Sequence, residues 1–156
     1  MKVRPIPEGY GSVTPYLIVS GAARAIDYYK EAFGATELMR FGGPDDKIMH
    51  AELQIGDSRI MLADEHPERG HRSPQSLGGS GTGLMLYVDD VDLVFMRAIE
   101  AGGNVQQAVK DQFYGDRSGS LSDPFGHVWT IATHVEDVEP EEMQRRAEAA
   151  ASQVTS

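Results

Sequence analysis

His50 and Glu52 are the residues of this 156-residue chain best suited to grip a ligand or move a proton, and one position separates them. On a strand, side chains two apart share a face, with Cα atoms about 6–7 Å apart. An imidazole beside a carboxylate can serve as a general base that the carboxylate orients. It can also offer ligands to a metal, or simply form a hydrogen-bonded pair on a wet sheet face. Residue type and spacing leave these three readings open. If Gly56 and Asp57 make a two-residue hairpin turn, Ile55 opposes Ser58, and Glu52 then faces Met61, His50 faces Ala63 and Gln54 faces Arg59. That parity puts Ile48, His50, Glu52 and Gln54 on one face with Arg59, Met61 and Ala63. Met49, Ala51, Leu53, Ile60 and Leu62 form an apolar face that packs on helices. A one-residue slip would reverse the assignment.

Other chemistry-bearing residues are weaker signals. In Tyr114-Gly-Asp-Arg117, Arg117 can bind an anionic ligand or fix its own loop through Asp116. Trp129 has the parity of a core residue. His66 and His71 read as solvated linker residues, His127 as part of a turn, and His134 closes the last strand without a visible partner.

Composition narrows the setting. Fourteen Lys and Arg against 24 Asp and Glu give a net charge of −10, which repels a phosphate backbone and argues against nucleic acid. With no cysteine, disulfides, thiolate metal sites and cysteine nucleophiles are excluded. No apolar stretch approaches the roughly 18 residues that cross a bilayer, and an N-terminus with Pro5 and Pro7 lacks a secretory apolar region. The expectation is a cytoplasmic protein without a membrane partner.

The elements that must position these residues occur twice. Tyr16-Leu-Ile-Val19 precedes a helix with Ser20 as its expected cap, ending near Phe33 and Gly34. Met85-Leu-Tyr-Val88 precedes a second, capped by Asp89-Asp90 and ending at Gly102-Gly103. Ala22, Ala25, Ile26, Tyr29 and Phe33 form one apolar stripe, and Val91, Val94, Phe95 and Ala98 another. Shifting by 69 residues pairs Leu17 with Leu86, Val19 with Val88, Glu31 with Glu100, Ala32 with Ala101 and Gly34 with Gly103. Extended segments follow each helix (36–41, 47–55 and 58–64; then 104–109, 117–122 and 128–133), so each half reads βαβββ, and the same shift is expected to carry one hairpin onto the other. The expected organisation is unit one at 12–65, a linker at 66–82 and unit two at 83–134, within a domain of residues 1–138. A helical tail follows at 139–156.

Tandem βαβββ units, Ala25-Ile-Asp-Tyr-Tyr-Lys-Glu-Ala-Phe-Gly34 and the Asp123-Pro-Phe-Gly-His127 turn resemble the vicinal oxygen chelate superfamily of glyoxalases, bleomycin and fosfomycin resistance proteins and extradiol dioxygenases. Ile48-Met-His-Ala-Glu-Leu53, Ile60-Met-Leu-Ala-Asp-Glu65, Tyr114-Gly-Asp-Arg117 and Ile131-Ala-Thr-His134 are similar to its PhnB-like branch. The resemblance implies an α+β fold in which half-barrel sheets curve around a shared cavity, usually in a homodimer. It also implies a divalent metal held from four positions, here occupied by Thr14, Met61, Gly83 and Thr130. Glycine has no side chain, thioethers suit soft metals and threonine is a poor ligand, so the usual metal site is expected to be absent and no cofactor is expected. Tyr16, His50, Glu52, Met61, Tyr87, Arg117 and Thr130 are the expected lining, with Thr14, Ile18, Gly83, Met85, Gly119, Leu121 and Ala132 sharing their faces. The expected function is binding or sequestration of a small organic molecule, with His50 and Glu52 the catalytic candidates if chemistry occurs. The alternative is a metal-dependent lyase, isomerase or dioxygenase using His50, Glu52 and Asp64; a third reading is a partner-binding or storage role.

Overall fold

The computed structural model describes residues 2–154; Met1, Thr155 and Ser156, which the expected domain and tail include, lie outside them. The first unit contributes β1 (Tyr16–Val19), α1 (Ala22–Phe33), β2 (Thr36–Gly42), β3 (Ile48–Ile55) and β4 (Ser58–Asp64). A short helix α2 (Pro74–Leu77) lies between the units. The second unit contributes β5 (Gly83–Tyr87), α3 (Val91–Glu100), β6 (Asn104–Asp111), β7 (Asp116–Ser122) and β8 (Val128–His134), followed by α4 (Pro140–Val154). They form two open four-stranded mixed sheets, ordered β1-β4-β3-β2 and β5-β8-β7-β6, with the first pair in each parallel.

Each helix buries the stripe that its sequence spells. Ala22, Ala25, Ile26 and Tyr29 of α1, and Val91, Phe95 and Ala98 of α3, join Leu17, Val19, Leu53, Leu62, Leu121, Trp129 and Ile131 in one core. The helices pack on each other, and Tyr28 donates to the Ala98 carbonyl at 2.9 Å. The polar centre of this core is Asp123, 2% exposed. It accepts from Tyr29 Oη at 2.6 Å, Trp129 Nε1 at 2.9 Å, and the amides of Phe125 and His127 at 2.9 and 3.0 Å. His127 also reaches the Ile18 carbonyl at 2.9 Å, so this turn of the second unit fastens helix and strand of the first.

Three local expectations need correction. Ser20 does not cap α1: the N-cap is Gly21, without a side-chain bond, and Asp64 at the end of β4 accepts the Gly21 and Ala22 amides at 2.8 and 2.9 Å. Thr133, 69 residues later, does the same for α3, accepting the Val91 amide at 2.9 Å, while Asp90 accepts from Leu93 at 3.2 Å. Second, Met49 is an extra residue in β3, which pairs Phe41 with His50 but Gly42 with Ile48. This bulge turns Ile48 into the core and leaves Met49 exposed, the reverse of strict alternation.

Third, the repeat loses register in its hairpins. Tyr16 pairs with Met61 and Met85 with Thr130, preserving the 69-residue shift. Glu52 pairs with Met61, however, whereas Thr130 pairs with Ser120 rather than Leu121. The turn at Gly56-Asp57 has two residues. Its counterpart has three, closed by the Asp123 amide on the His127 carbonyl at 2.8 Å with Gly126 at φ +92°. The added residue flips β7 to the opposite parity. Arg117, Gly119 and Leu121 therefore face the helices, and Asp116, Ser118 and Ser120 share the face of Thr130 and Ala132.

Candidate functional site

On the first sheet the geometry gathers the sequence candidates into one hydrogen-bonded chain. His50 Nε2 lies 2.8 Å from Glu52 Oε2, and His50 Nδ1 lies 2.8 Å from Tyr16 Oη. A carboxylate only accepts, so Nε2 carries the proton, and in the neutral ring Nδ1 accepts from the Tyr16 hydroxyl. The other Glu52 oxygen accepts from Tyr10 Oη. Arg59 anchors Tyr10 in turn: its guanidinium sits 4.8 Å from the ring centroid and donates to the Glu8 carbonyl at 3.2 Å and Gln54 Oε1 at 2.9 Å. Phe41 stacks 6.4 Å from the His50 ring, and Met61 stands opposite both Tyr16 and Glu52. The Tyr10 hydroxyl, then the imidazole, holds the Glu52 carboxyl below the usual carboxylate range. Burial first pushes both phenols, Tyr10 and Tyr16, up, followed by the hydrogen bond to Glu52 for Tyr10 and by the Glu52 charge for Tyr16. The result is an ionised carboxylate orienting an imidazole among aromatic and thioether surfaces, an arrangement able to hold a polar ligand or, with the ring neutral, accept its proton.

The second sheet carries a separate chain. Asp116, 4% exposed, accepts from Tyr87 Oη at 2.8 Å and meets His134 Nδ1 at 2.7 Å, and His134 Nε2 lies 2.7 Å from Asp137. Asp116, then Asp137, holds the His134 imidazole above its ordinary range. Thr130, on the same face, spends its hydroxyl on Ser120 at 2.9 Å.

The expected single lining is thus divided. Tyr16, His50, Glu52 and Met61 belong to the first sheet, Tyr87 and Thr130 to the second, and Arg117 to neither concave face. Arg117 pairs with Asp92 of α3 at 2.9 Å and Asp111 at 3.3 Å, so its guanidinium serves the helix side. A cleft of about 570 Å³ runs from Tyr10 and Thr14 past Arg59 to Met85 and Tyr87, and neither His50 nor Glu52 lines it. His71 is exposed, as expected of a solvated residue, whereas His66 is half-buried with its Nδ1 closed off without a hydrogen-bond partner, and the two backbones form an antiparallel bridge. Tyr10 gave no signal in sequence: it lies among prolines and glycines, 42 positions from the carboxylate it serves. The Asp116–His134 pair becomes legible only with the three-residue turn in place.

A divalent ion does not fit the residues present at the four positions where the resemblance puts its ligands. Gly83 has no donor, Met61 offers a thioether, and the Thr130 hydroxyl is engaged. Asp64, the third ligand of the alternative set, is committed to three backbone amides, the third being Ile48 at 2.7 Å. Among the described residues no three His, Asp or Glu side chains converge on one point.

Two βαβββ units with open sheets and a polar cluster on the face away from the helices define a class, and comparison with known proteins agrees. The model of the Glyoxalase/Bleomycin resistance protein/Dioxygenase superfamily matches residues 10–131, and the chain belongs to that superfamily. An uncharacterized protein of Mycobacterium tuberculosis H37Rv, Rv0887c, is 46% identical over 136 residues, covering 85% of this chain and 80% of its own length. The crystal structure of TioX from Micromonospora sp. ML1 is similar at 30% identity and TM-score 0.62, covering 80% of this chain and all (100%) of its own. The Arabidopsis thaliana AT5G48480 gene product is similar at 25% identity and TM-score 0.65, covering 79% and 98%.

Proposed function

We propose that the protein binds a small organic molecule on the open face of its first sheet, without a metal, and acts by holding or sequestering it. The observation that carries this reading is the Tyr16–His50–Glu52–Tyr10 chain. Four polar side chains converge there, beside Phe41 and Met61, on a face that the core does not use. A few directional polar groups on an apolar wall are the usual composition of a ligand site. The ligand supplies a hydrogen-bond donor or an acidic proton to Nδ1 of His50, displacing the Tyr16 hydroxyl, while Glu52 fixes the ring. We include a second copy of the chain as the cover of these faces, in the cytoplasm. Phe41 and Tyr87, 56% and 57% exposed, are apolar surface that a second copy would cover.

A thermal-shift screen of drug-sized organic compounds tests the reading. A ligand at 100 times its dissociation constant adds about 2.7 kcal/mol, or roughly 5–11 °C for a chain of this length. His50→Ala and Glu52→Gln should abolish the shift while leaving the unliganded midpoint within about 1 kcal/mol. Ligands whose shift survives both substitutions refute the site. Sedimentation equilibrium checks the dimer, and a monomer at micromolar concentration removes that part of the proposal.

A further inference from the structure

Beside Tyr16, at the start of β3 and the end of β4, lies a hollow of about 80 Å³, walled also by Met49, Ala63 and residues between Asp64 and His71. Its polar groups can be sorted by what they already do. Asp64 takes three backbone amides, and Glu65 takes the Ser73 and Ser76 hydroxyls at 3.0 and 2.6 Å. Tyr16 is engaged by His50. What remains is Lys47, Arg69, His71 and Nδ1 of His66: among the described residues none makes a side-chain hydrogen bond or close ion pair, and Lys47 acts on Glu65 only through its field. Ammonium and guanidinium groups only donate, and each imidazole has one N–H even when neutral. The unmet groups of Lys47 and Arg69 are therefore donors, two cations beside the Asp64 and Glu65 carboxylates whose oxygens already accept hydrogen bonds, in a chain whose net charge is −10. The occupant that satisfies them is an acceptor carrying negative charge. The volume suits a single acidic group rather than a whole ligand, since a water in the liquid occupies about 30 Å³.

We propose that the hollow bounded by Tyr16, Lys47, His66, Arg69 and His71 binds the oxyanion, carboxylate or phosphate, of the molecule whose body lies against His50 and Glu52. This rests on the small-molecule reading above and adds the ligand's chemical class. Tyr16 joins the two places, one face of it lining the hollow and its hydroxyl meeting His50. Nδ1 of His66, closed off without a partner, becomes the donor that a small opening of the 66–71 bridge would aim at the anion.

Inorganic phosphate and acetate, titrated separately at constant ionic strength into protein carrying ¹⁵N-labelled histidine, test this. The expected result is saturable movement of the His66 and His71 imidazole signals with one anion or both, phosphate alone indicating a phosphate ligand and acetate alone a carboxylate. The Lys47→Ala, Arg69→Ala double substitution, at exposed positions, should weaken binding tenfold or more. His50→Ala should leave it unchanged, because no donor to the hollow runs through His50. Absence of saturation with both anions, equal binding by the double variant, or loss of binding in His50→Ala each overturns the proposal. The small-molecule reading fails differently, when His50→Ala still binds the organic ligand.

Discussion

Removing the Asp123 carboxylate should destabilise the protein more than any other single polar substitution, and the double mutant gives the sign that makes this testable. Asp123 is 2% exposed and accepts four hydrogen bonds, two of them from the fully enclosed side chains of Tyr29 and Trp129. Asp123→Ala leaves both donors buried without a partner, at about 1–3 kcal/mol each. The loss should come to about 4 kcal/mol, against a total stability on the order of 5–15 kcal/mol, and to a midpoint lower by roughly 8–16 °C. Tyr29→Phe alone removes one donor from an acceptor that keeps three, and should cost about 1.5 kcal/mol. In the double variant Tyr29 is no longer an orphan, so Asp123→Ala/Tyr29→Phe should be about 1 kcal/mol more stable than Asp123→Ala alone, the opposite of additivity. Urea unfolding at pH 7 followed by Trp129 fluorescence measures all four species. If the two losses simply add, the hub is not an energetic unit and the account of how the halves are joined is wrong.

Gly115→Ala should detach the segment leading into α4, since φ is +101° and an added Cβ would sit on the Glu136 carbonyl, next to the point where the Val135 and Glu136 amides meet the Gly115 carbonyl. The expected cost is about 2–4 kcal/mol, with faster amide exchange at 135–136 as the readout. His134 is held above its ordinary 6.5 by Asp116 first and Asp137 second. Its raised value means that the protonated ring's contribution is full below 6.5 and is lost as pH rises through the folded value; His134→Gln should flatten stability against pH in that window and nowhere else. Glu37 runs the other way: Arg40 first and Lys30 next hold its carboxyl down to about 2. Its contribution is present above the ordinary value of about 4.5 and lost on acidification toward 2. Glu37→Gln should remove about 1 kcal/mol, discounted for a surface network, and denaturant melts from pH 6 to 2.5 should converge on the parent at the acid end.

What the sequence made legible was whatever depends on local periodicity. The stripes of α1 and α3, the two-residue turn at Gly56-Asp57, and hence the opposition of Glu52 to Met61 all follow from spacing. What escaped depended on one extra residue or on partners far along the chain. Met49 enters β3 as a bulge and exchanges places with Ile48, and nothing in Ile-Met-His-Ala-Glu marks which residue is extra. Tyr10 closes on Glu52 from a segment with no periodicity. The helix caps supplied by Asp64 and Thr133 come from strands 42 positions away from the amides they serve, where capping rules based on the preceding residues cannot see them.

The turn between β7 and β8 has the largest consequence, because it decides why two copies of one unit carry different chemistry. With a two-residue turn, β7 would show Arg117, Gly119 and Leu121 on the face it shares with Thr130, placing a free guanidinium on the second sheet's open side. With three residues it shows Asp116, Ser118 and Ser120, and Arg117 is spent on Asp92 beside the helix. The second concave face therefore carries the Tyr87–Asp116–His134 chain and the Ser120–Thr130 hydroxyl pair. The cations with unused donors lie instead at the end of the first sheet, around Lys47 and Arg69. Both the imidazole–carboxylate pair and the donors for an acid thus fall on one sheet, so a ligand can use the two together without any residue from the second. Substitutions on the second concave face should then alter assembly or stability while leaving the intrinsic affinity of the first face unchanged. A Thr130 or Tyr87 variant that folds and assembles normally yet loses the ligand would show that the two sheets share one site.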